Sequence, residues 1–484
     1  MTVASRWAAT TIAALVVAGA VAVAATTGPV TTAVPGAPAR GPGAPGEDEV
    51  LEIAERLAAY DVAEITGDVG RTGRVTRAPA PGWAGARILH PKKNDWEPAV
   101  AADPNDPWVY VMVARYGSPV CPRCPDPAMM LERSRDGGKT WSKARPVCRC
   151  PGIPWQADPI IEVVPDTGAV YAIWMNVWNV VFSRSEDHGR TWTDPVSTRG
   201  SVPWNDKPAL VTSDDGQDVW VTWNGPSGGD PFVARSNDGG DTWRRRRVIS
   251  SDRYYFAYDG DVTSDGTVAL AQSSISYSGP GFAPRGAVKH HALVSDDGGN
   301  TWRNVVVDRV RIGVPCVSVA CPSDYYIGHS SIAADDDGGL YFVYDGALRA
   351  GARQRTFVAS SIDGGDTWSA PIRLSAPHEQ SGFPMVSATG SGDVRVWYMQ
   401  TRGGHRNAWN VWYRSSTDGG ASWSPAARLS DVTSGFAYVS RRGFREPYGD
   451  YGEIAITNSG KTVAVWGEGM SYWGPGGVWF NRQR

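Results

Sequence analysis

Aromatic rings and charged side chains recur together at one point of a repeating pattern, the entrance to a short apolar run of β type. Along the chain that point reads Trp96-Glu97, Trp155 with Asp158, Trp204 with Asp206 and Lys207, Tyr258-Asp259, Tyr326 with His329, Phe383, and Tyr448 with Asp450. Flat rings suit the apolar faces of sugars. Paired carboxylates can divide the work on a glycosidic bond, one protonating the leaving oxygen while the other acts as base or nucleophile. Glu97, Asp158, Asp206, Asp259 and Asp450 are therefore the candidate catalytic groups. Trp96, Trp155, Trp204, Lys207, Tyr258, His329, Phe383 and Tyr448 are the candidates for holding substrate. The same residues also have a plain structural reading, with rings packed between sheets and acids accepting backbone N–H groups. Two further functions fit the pattern. One is a lectin that binds sugar without turnover; the other is a polysaccharide lyase in which His329 and Tyr325 or Tyr326 abstract a proton. Acids crowded near one axis raise each other's pKa or take up a cation such as calcium, and no other cofactor is required.

Positioning these groups falls to an internal repeat. SRDGGKTW at Ser134–Trp141 returns as SEDHGRTW at Ser185–Trp192, SNDGGDTW at Ser236–Trp243, SDDGGNTW at Ser295–Trp302, SIDGGDTW at Ser361–Trp368 and STDGGASW at Ser416–Trp423. Successive copies start 51, 51, 59, 66 and 55 residues apart, the spacing of a supersecondary unit. Within the octapeptide, Ser and Asp oxygens bond backbone groups of a tight turn, glycines take positive φ, and Trp enters the apolar layer between sheets. Its acids are thus structural. Three apolar strands precede each copy and a fourth follows, which predicts a four-stranded β-propeller blade. The chain after Trp423 supplies the last strand of the sixth blade and three more: Glu453–Thr457, Thr462–Gly467 and Val478–Asn481. Arg87–His90 can complete that seventh sheet and close the ring without free edges. The prediction is an all-β, seven-bladed propeller over residues 86–484, its six octapeptide turns on one face. The long loops, and the candidate site, belong on the other.

Composition narrows the function classes. With 42% hydrophobic residues, 56 Gly and 35 Pro in 484 residues, the chain is neither disordered nor a coiled coil. A net charge of −3 gives no footprint for nucleic acid, and Arg244–Arg247 reads as a solvated rim on an outermost strand. Arg6 followed by the Ala/Val run to Ala25 reads as a secretory signal peptide over residues 1–25, with an uncleaved anchor as the alternative. Residues 26–85 read as a Pro/Gly-rich linker with a short helix at Glu47–Tyr60. Six cysteines in close pairs, Cys121 with Cys124, Cys148 with Cys150 and Cys316 with Cys321, favour disulfides and an extracellular location over a zinc site at the first four.

The octapeptide resembles the Asp-box, or BNR, motif of the sialidase superfamily, and the resemblance covers about residues 86–484. It implies a propeller whose site lies opposite the Asp boxes, and a glycan or polysaccharide partner. Sialidases of this superfamily hold the sialate carboxylate with three arginines and attack with a tyrosine assisted by a glutamate. Tyr451 loosely matches that nucleophile, with Glu453 or Glu468 as helper, and Arg115 lies among the upper-face arginines. Where the first arginine phrase belongs, this chain has Trp96-Glu97-Pro98. A carboxylate there repels a sialate, which argues against strict exo-sialidase chemistry and leaves a sialidase-like glycoside hydrolase as the expectation.

Overall fold

Each octapeptide closes a hairpin inside a four-stranded antiparallel sheet, and the computed structural model arranges seven such sheets in a ring. It describes residues 78–484 except 226–228, 277–284, 314–327, 403–404, 431–438, 441–442, 445–451 and 468–476. The expected signal segment, the tether, the 47–60 helix, Cys316, Cys321, Tyr325, Tyr326, Tyr448, Asp450, Tyr451 and Glu468 lie outside the described residues.

Blade 1 runs from the axis outward as Asn94–Ala102, Val109–Tyr116, Ala128–Ser134 and Arg145–Pro146. Blades 2 to 6 repeat that order with inner strands Gln156–Val163, Asp206–Thr212, Tyr254–Val262, Ser330–Ala334 and Ser381–Thr389. The seventh blade joins both ends of the propeller. Gly452–Ile456, Thr462–Gly467 and Val478–Arg482 are followed, at its outer edge, by Arg87–Ile88. That strand is two residues shorter than the sequence suggests, with Arg87 opposite Phe480 and Ile88 opposite Trp479. A bridge between Trp83 and Gln483 extends the seal.

Strand side chains alternate toward the two neighbouring blades, so both faces of every sheet are buried. In blade 1, Val100, Val111 and Val113 pack on Val463, Val465 and Phe480 of blade 7. Ala99, Ala101 and Met112 turn the other way, onto Ile161, Ala172 and Trp174 of blade 2. This is why runs such as Val109–Ala114 are apolar throughout rather than every second residue. The core is a set of seams between blades, not a central mass.

The Asp boxes hold their turns as their composition predicts. In the third box Ser236 Oγ donates to Asp238 Oδ1 at 2.6 Å and accepts the Gly240 N–H at 2.8 Å. Asp238 also takes the Thr242 N–H and hydroxyl at 2.8 and 2.6 Å. The Ser236 and Thr242 bonds hold the Asp238 carboxyl down to about 2. The box tryptophan reaches back to the preceding blade: Trp243 meets Phe182 edge-on at 5.3 Å, and Trp141 meets Phe480 at 5.0 Å. Disulfides join Cys121 to Cys124 and Cys148 to Cys150. With all four sulfurs so paired, the alternative zinc site has no thiolates.

Candidate functional site

Five inner strands shift register, that of blade 4 between Ala257 and Asp259 without a left-handed residue, and the other four carry one shared irregularity at the end away from the Asp boxes. Their ladders shift register between Trp96 and Ala99, Ala157 and Ile160, Asp206 and Ala209, and Gly382 and Met385. Within each bulge one non-glycine residue is left-handed: Glu97 at φ 53°, Asp158 at 53°, Lys207 at 50° and Phe383 at 54°. Proline follows every one of them, as Pro98, Pro159, Pro208 and Pro384. Proline has no N–H for the ladder, so the strand is already broken where the bulge forms. Bulges of this kind re-aim a side chain and cluster beside functional sites. Four of the sequence-predicted residues therefore occupy one structural position, repeated around the ring.

The Glu97 side chain of blade 1 reaches the backbone of Asp158 in blade 2. Glu97 Oε2 accepts the backbone N–H of Asp158 at 3.0 Å, and Asp158 itself is 4% exposed. In blade 3, Asp206 Oδ1 accepts the Lys207 N–H at 2.9 Å, and both side chains are buried. Beside them the predicted Trp155 and Trp204 are linked by Trp178, which the sequence reading missed. Trp155 meets Trp178 at 5.3 Å and Trp178 meets Trp204 at 6.4 Å, each edge to face. All three rings are partly exposed and form a row across the upper ends of blades 2 and 3. Trp178 follows Val177, at φ 58°, in the short second connection of blade 2; an aromatic in that loop was the available signal.

Blades 4 to 6 supply a second group. The His329 ring lies 5.1 Å from Tyr258 and 4.5 Å from Phe383, buried at 1% exposure. Among the described residues neither ring nitrogen has a hydrogen-bond partner, although Nδ1 is 3.7 Å from Asp345 Oδ2. Burial, and then the Lys207 ammonium, push His329 well below the usual histidine range, so it is neutral. Asp345, which nothing in the sequence distinguished, accepts the N–H groups of Gly328 and Phe383 at 3.0 and 3.1 Å. It ties the entrance of blade 5 to the left-handed Phe383.

Other predicted residues lie apart from these groups. Asp259 Oδ2 accepts the Ser331 hydroxyl at 2.5 Å and the Ile332 N–H at 3.3 Å, joining blade 4 to blade 5. Asp261 does the same for the Ala334 N–H, and Glu453 joins blade 7 to the Val100 N–H of blade 1. With Glu162 these acids face one another along the axial channel. Burial raises Asp259 to about 7 and Asp261 to about 6, and lifts Glu162 and Glu453 well above the carboxylate range. Arg115 is spent on a bidentate ion pair with Asp95 at 2.6 and 2.7 Å, 6% exposed. Trp96 Nε1 donates to Asn94 Oδ1 at 2.6 Å and its ring meets Tyr116 at 5.4 Å. Among the described residues no three potential ligands converge on a metal position. A cavity of about 400 Å³ lined by Asp335, Tyr341, Ile362 and Asp418 opens on the Asp-box face and contains none of the predicted site residues.

Residues 111–279 and 261–440 match the BNR repeat-like domain family. No curated protein matches the chain. Among solved structures, a Hadza microbial sialidase is 15% identical, over 83% of this chain and 66% of its own, with a TM-score of 0.44. An ulvan lyase from a family of polysaccharide lyases is 10% identical, over 82% and 95%, with a TM-score of 0.50. An α-L-arabinanase of Penicillium chrysogenum, complexed with arabinobiose, is 19% identical, over 56% and 78%, with a TM-score of 0.37. At such identities the likeness extends to the fold.

Proposed function

Because the chain belongs to the BNR repeat-like domain family, we propose that it is a carbohydrate-active propeller, a glycoside hydrolase of sialidase-like type acting on extracellular glycans at its upper axial mouth. The observation that carries this reading is the repeated left-handed bulge, which sets Glu97 and Asp158 together on adjacent blades next to the Trp155–Trp178–Trp204 row. One carboxyl protonates the glycosidic oxygen while the second serves as base or nucleophile, and the tryptophans offer flat faces to the sugar rings. Asp206, Asp450 and Tyr451 are the remaining candidates for the chemistry. Glu97 disfavours a sialate at its own position, so the substrate is a glycan without a carboxylate there. The paired cysteines support export, and with it a secreted protein.

A lyase is the second reading, favoured by the neutral His329, whose unprotonated ring nitrogen can accept a proton and which has no hydrogen-bond partner at either nitrogen among the described residues. The test is a panel of extracellular oligosaccharides and polysaccharides, assayed for reducing ends and for unsaturated products absorbing in the ultraviolet. Glu97→Gln and Asp158→Asn are each expected to cut hydrolysis by about a hundredfold or more while sugar binding persists. Unsaturated products lost with His329→Ala would assign the lyase. Binding without turnover in the unaltered protein would make it a lectin, and neither binding nor turnover would end the glycan reading. The proposed hydrolysis needs no metal. Loss of activity on chelation, restored by calcium, would assign the axial acids to a cation instead.

A further inference from the structure

The rim between blades 3 and 4 gathers positive charge that the net charge of −3 conceals. Arg244–Arg247 form the outermost strand of blade 3, all four exposed. In its register with Pro231–Ser236, Arg244 lies opposite Arg235 and Arg246 opposite Val233. Val233 packs with Leu270 and Leu293 of blade 4, so Arg235, Arg244 and Arg246 stand on the face that looks onto that blade. Two of them cross the seam: Arg246 Nη1 donates to the Asn300 carbonyl at 2.5 Å, and Arg235 Nη1 to Asn300 Oδ1 at 3.3 Å.

Blade 4 answers with cations of its own. In its outer strands, Arg285–Ser295 and Arg303–Arg311, Val288 and Val310 pack toward blade 5. Their neighbours Lys289 and Arg309 therefore turn toward blade 3. These two are direct cross-strand partners, a like-charge pairing that costs stability. Arg253 lies beside them, fixed by bonds to Ser274 Oγ and to the Ser274 and Ala287 carbonyls at 2.8, 2.7 and 2.6 Å. Burial first, then Arg253 and Arg309, lower the Lys289 pKa. Among the described residues, Asp218, 3.2 Å from Arg235, and Asp252 stand against these six cations. Charge of one sign distributed along this shared seam is poorly balanced within the chain, and a polyanion lying along the seam would relieve it.

We propose that this seam is a binding track for an anionic polysaccharide, its guanidinium and ammonium groups engaging sulfate or carboxylate groups along the polymer. Nucleic acid fits less well. None of the large apolar side chains exposed among the described residues is aromatic, so unpaired bases find no stacking platform. The track is separate from the axial mouth, and its test does not depend on turnover.

The full chain would be titrated at low salt with dextran sulfate, polygalacturonate, neutral dextran, and single-stranded and duplex DNA. Binding of an anionic polysaccharide and not of neutral dextran is expected. The double variants R244Q/R246Q and K289Q/R309Q should each weaken it about tenfold and flatten its salt dependence. R190Q, an exposed arginine in the second Asp box, should leave it unchanged. Amide exchange of Arg244–Arg247 in the unaltered protein, slowed by the bound polymer, gives a readout that no variant's folding can confound. DNA binding alone, no polyanion binding, affinity indifferent to both double variants, or unchanged exchange would each overturn the proposal.

Discussion

Glu97, Asp158, Lys207 and Phe383 hold φ values of 50–54°, which side chains beyond glycine adopt at a cost of about 1–2 kcal/mol each. A fold keeps four such residues at one repeated position when their side chains are wanted there. The backbone cost can be separated from the side-chain role at Lys207. Lys207→Gly is expected to be more stable than Lys207→Ala by about 1 kcal/mol, the reverse of the order in an ordinary strand. Both should lose ligand binding at the mouth. Urea midpoints of the two variants check the sign, and alanine proving the more stable would remove the argument from strain. At this scale the sequence was only partly legible. Residue types at the mouth could be read, because aromatics and acids stand out beside apolar strands. Their division of labour could not: Asp259 and Asp158 look alike in sequence, yet Asp259 bonds Ser331 and Ile332 of the next blade. Arg115 looked free to meet substrate and is paired with Asp95 instead. The X-Pro step at each left-handed bulge was the overlooked clue.

The Asp-box turn was the most legible element, since its side-chain bonds are local and its spacing regular. What the sequence did not disclose is that its two glycines do different work. In the first position Gly137 has φ +66° and open space, and His188 replaces glycine there at φ 59° while stacking on Trp108 at 4.6 Å. In the second position, at every box but the sixth, an added Cβ would collide with the preceding blade: 2.1 Å from Phe182 at Gly240, and 2.4 Å from Phe480 at Gly138. The second glycine is therefore a contact between blades as well as a turn residue. Gly240→Ala should cost about 3 kcal/mol, combining overpacking with strain at φ +93°. Gly137→Ala should cost only about 1 kcal/mol. Equilibrium urea unfolding of the pair distinguishes them, and equal losses would mean that the turn alone, and not the seam, sets the requirement.

Counting strands rather than boxes predicted the seventh blade, because a terminal sheet one strand short can be closed by the strand left over at the other end. The axial channel escaped that count, since burial along it depends on all seven inner strands together. Its acids should set the pH dependence of the ring. A carboxyl raised above its unfolded value near 4 stabilises the fold fully below that pH and loses its contribution as pH rises through the folded pKa. For Asp261 and Asp259 the loss begins at pH ~4 and is complete at about 6 and about 7, and Glu162 and Glu453, lifted well above the carboxylate range, lose stability in the same direction. Histidines 290 and 291, lowered to about 3 by burial, and His329 act in the opposite sense, losing stability as pH falls below their unfolded value near 6.5. Below neutrality the two sets oppose each other and stability should vary little. Above pH ~7 His290, His291 and His329 are neutral, and Asp259 and Asp261 ionised, in both states, which leaves Glu162 and Glu453 as the channel acids that still lose stability. His90, raised to about 9 by Asp95 and then Glu132, adds a loss of the same sign as it deprotonates. The melting temperature should therefore fall steadily between pH ~7 and ~9. Glu162→Gln removes one channel charge without cutting a blade-to-blade bond, and should flatten that fall and raise the melting temperature at the alkaline end. Scanning calorimetry of the two proteins across this range decides the point, since a parallel decline in both would place the titrating groups elsewhere than on the axis.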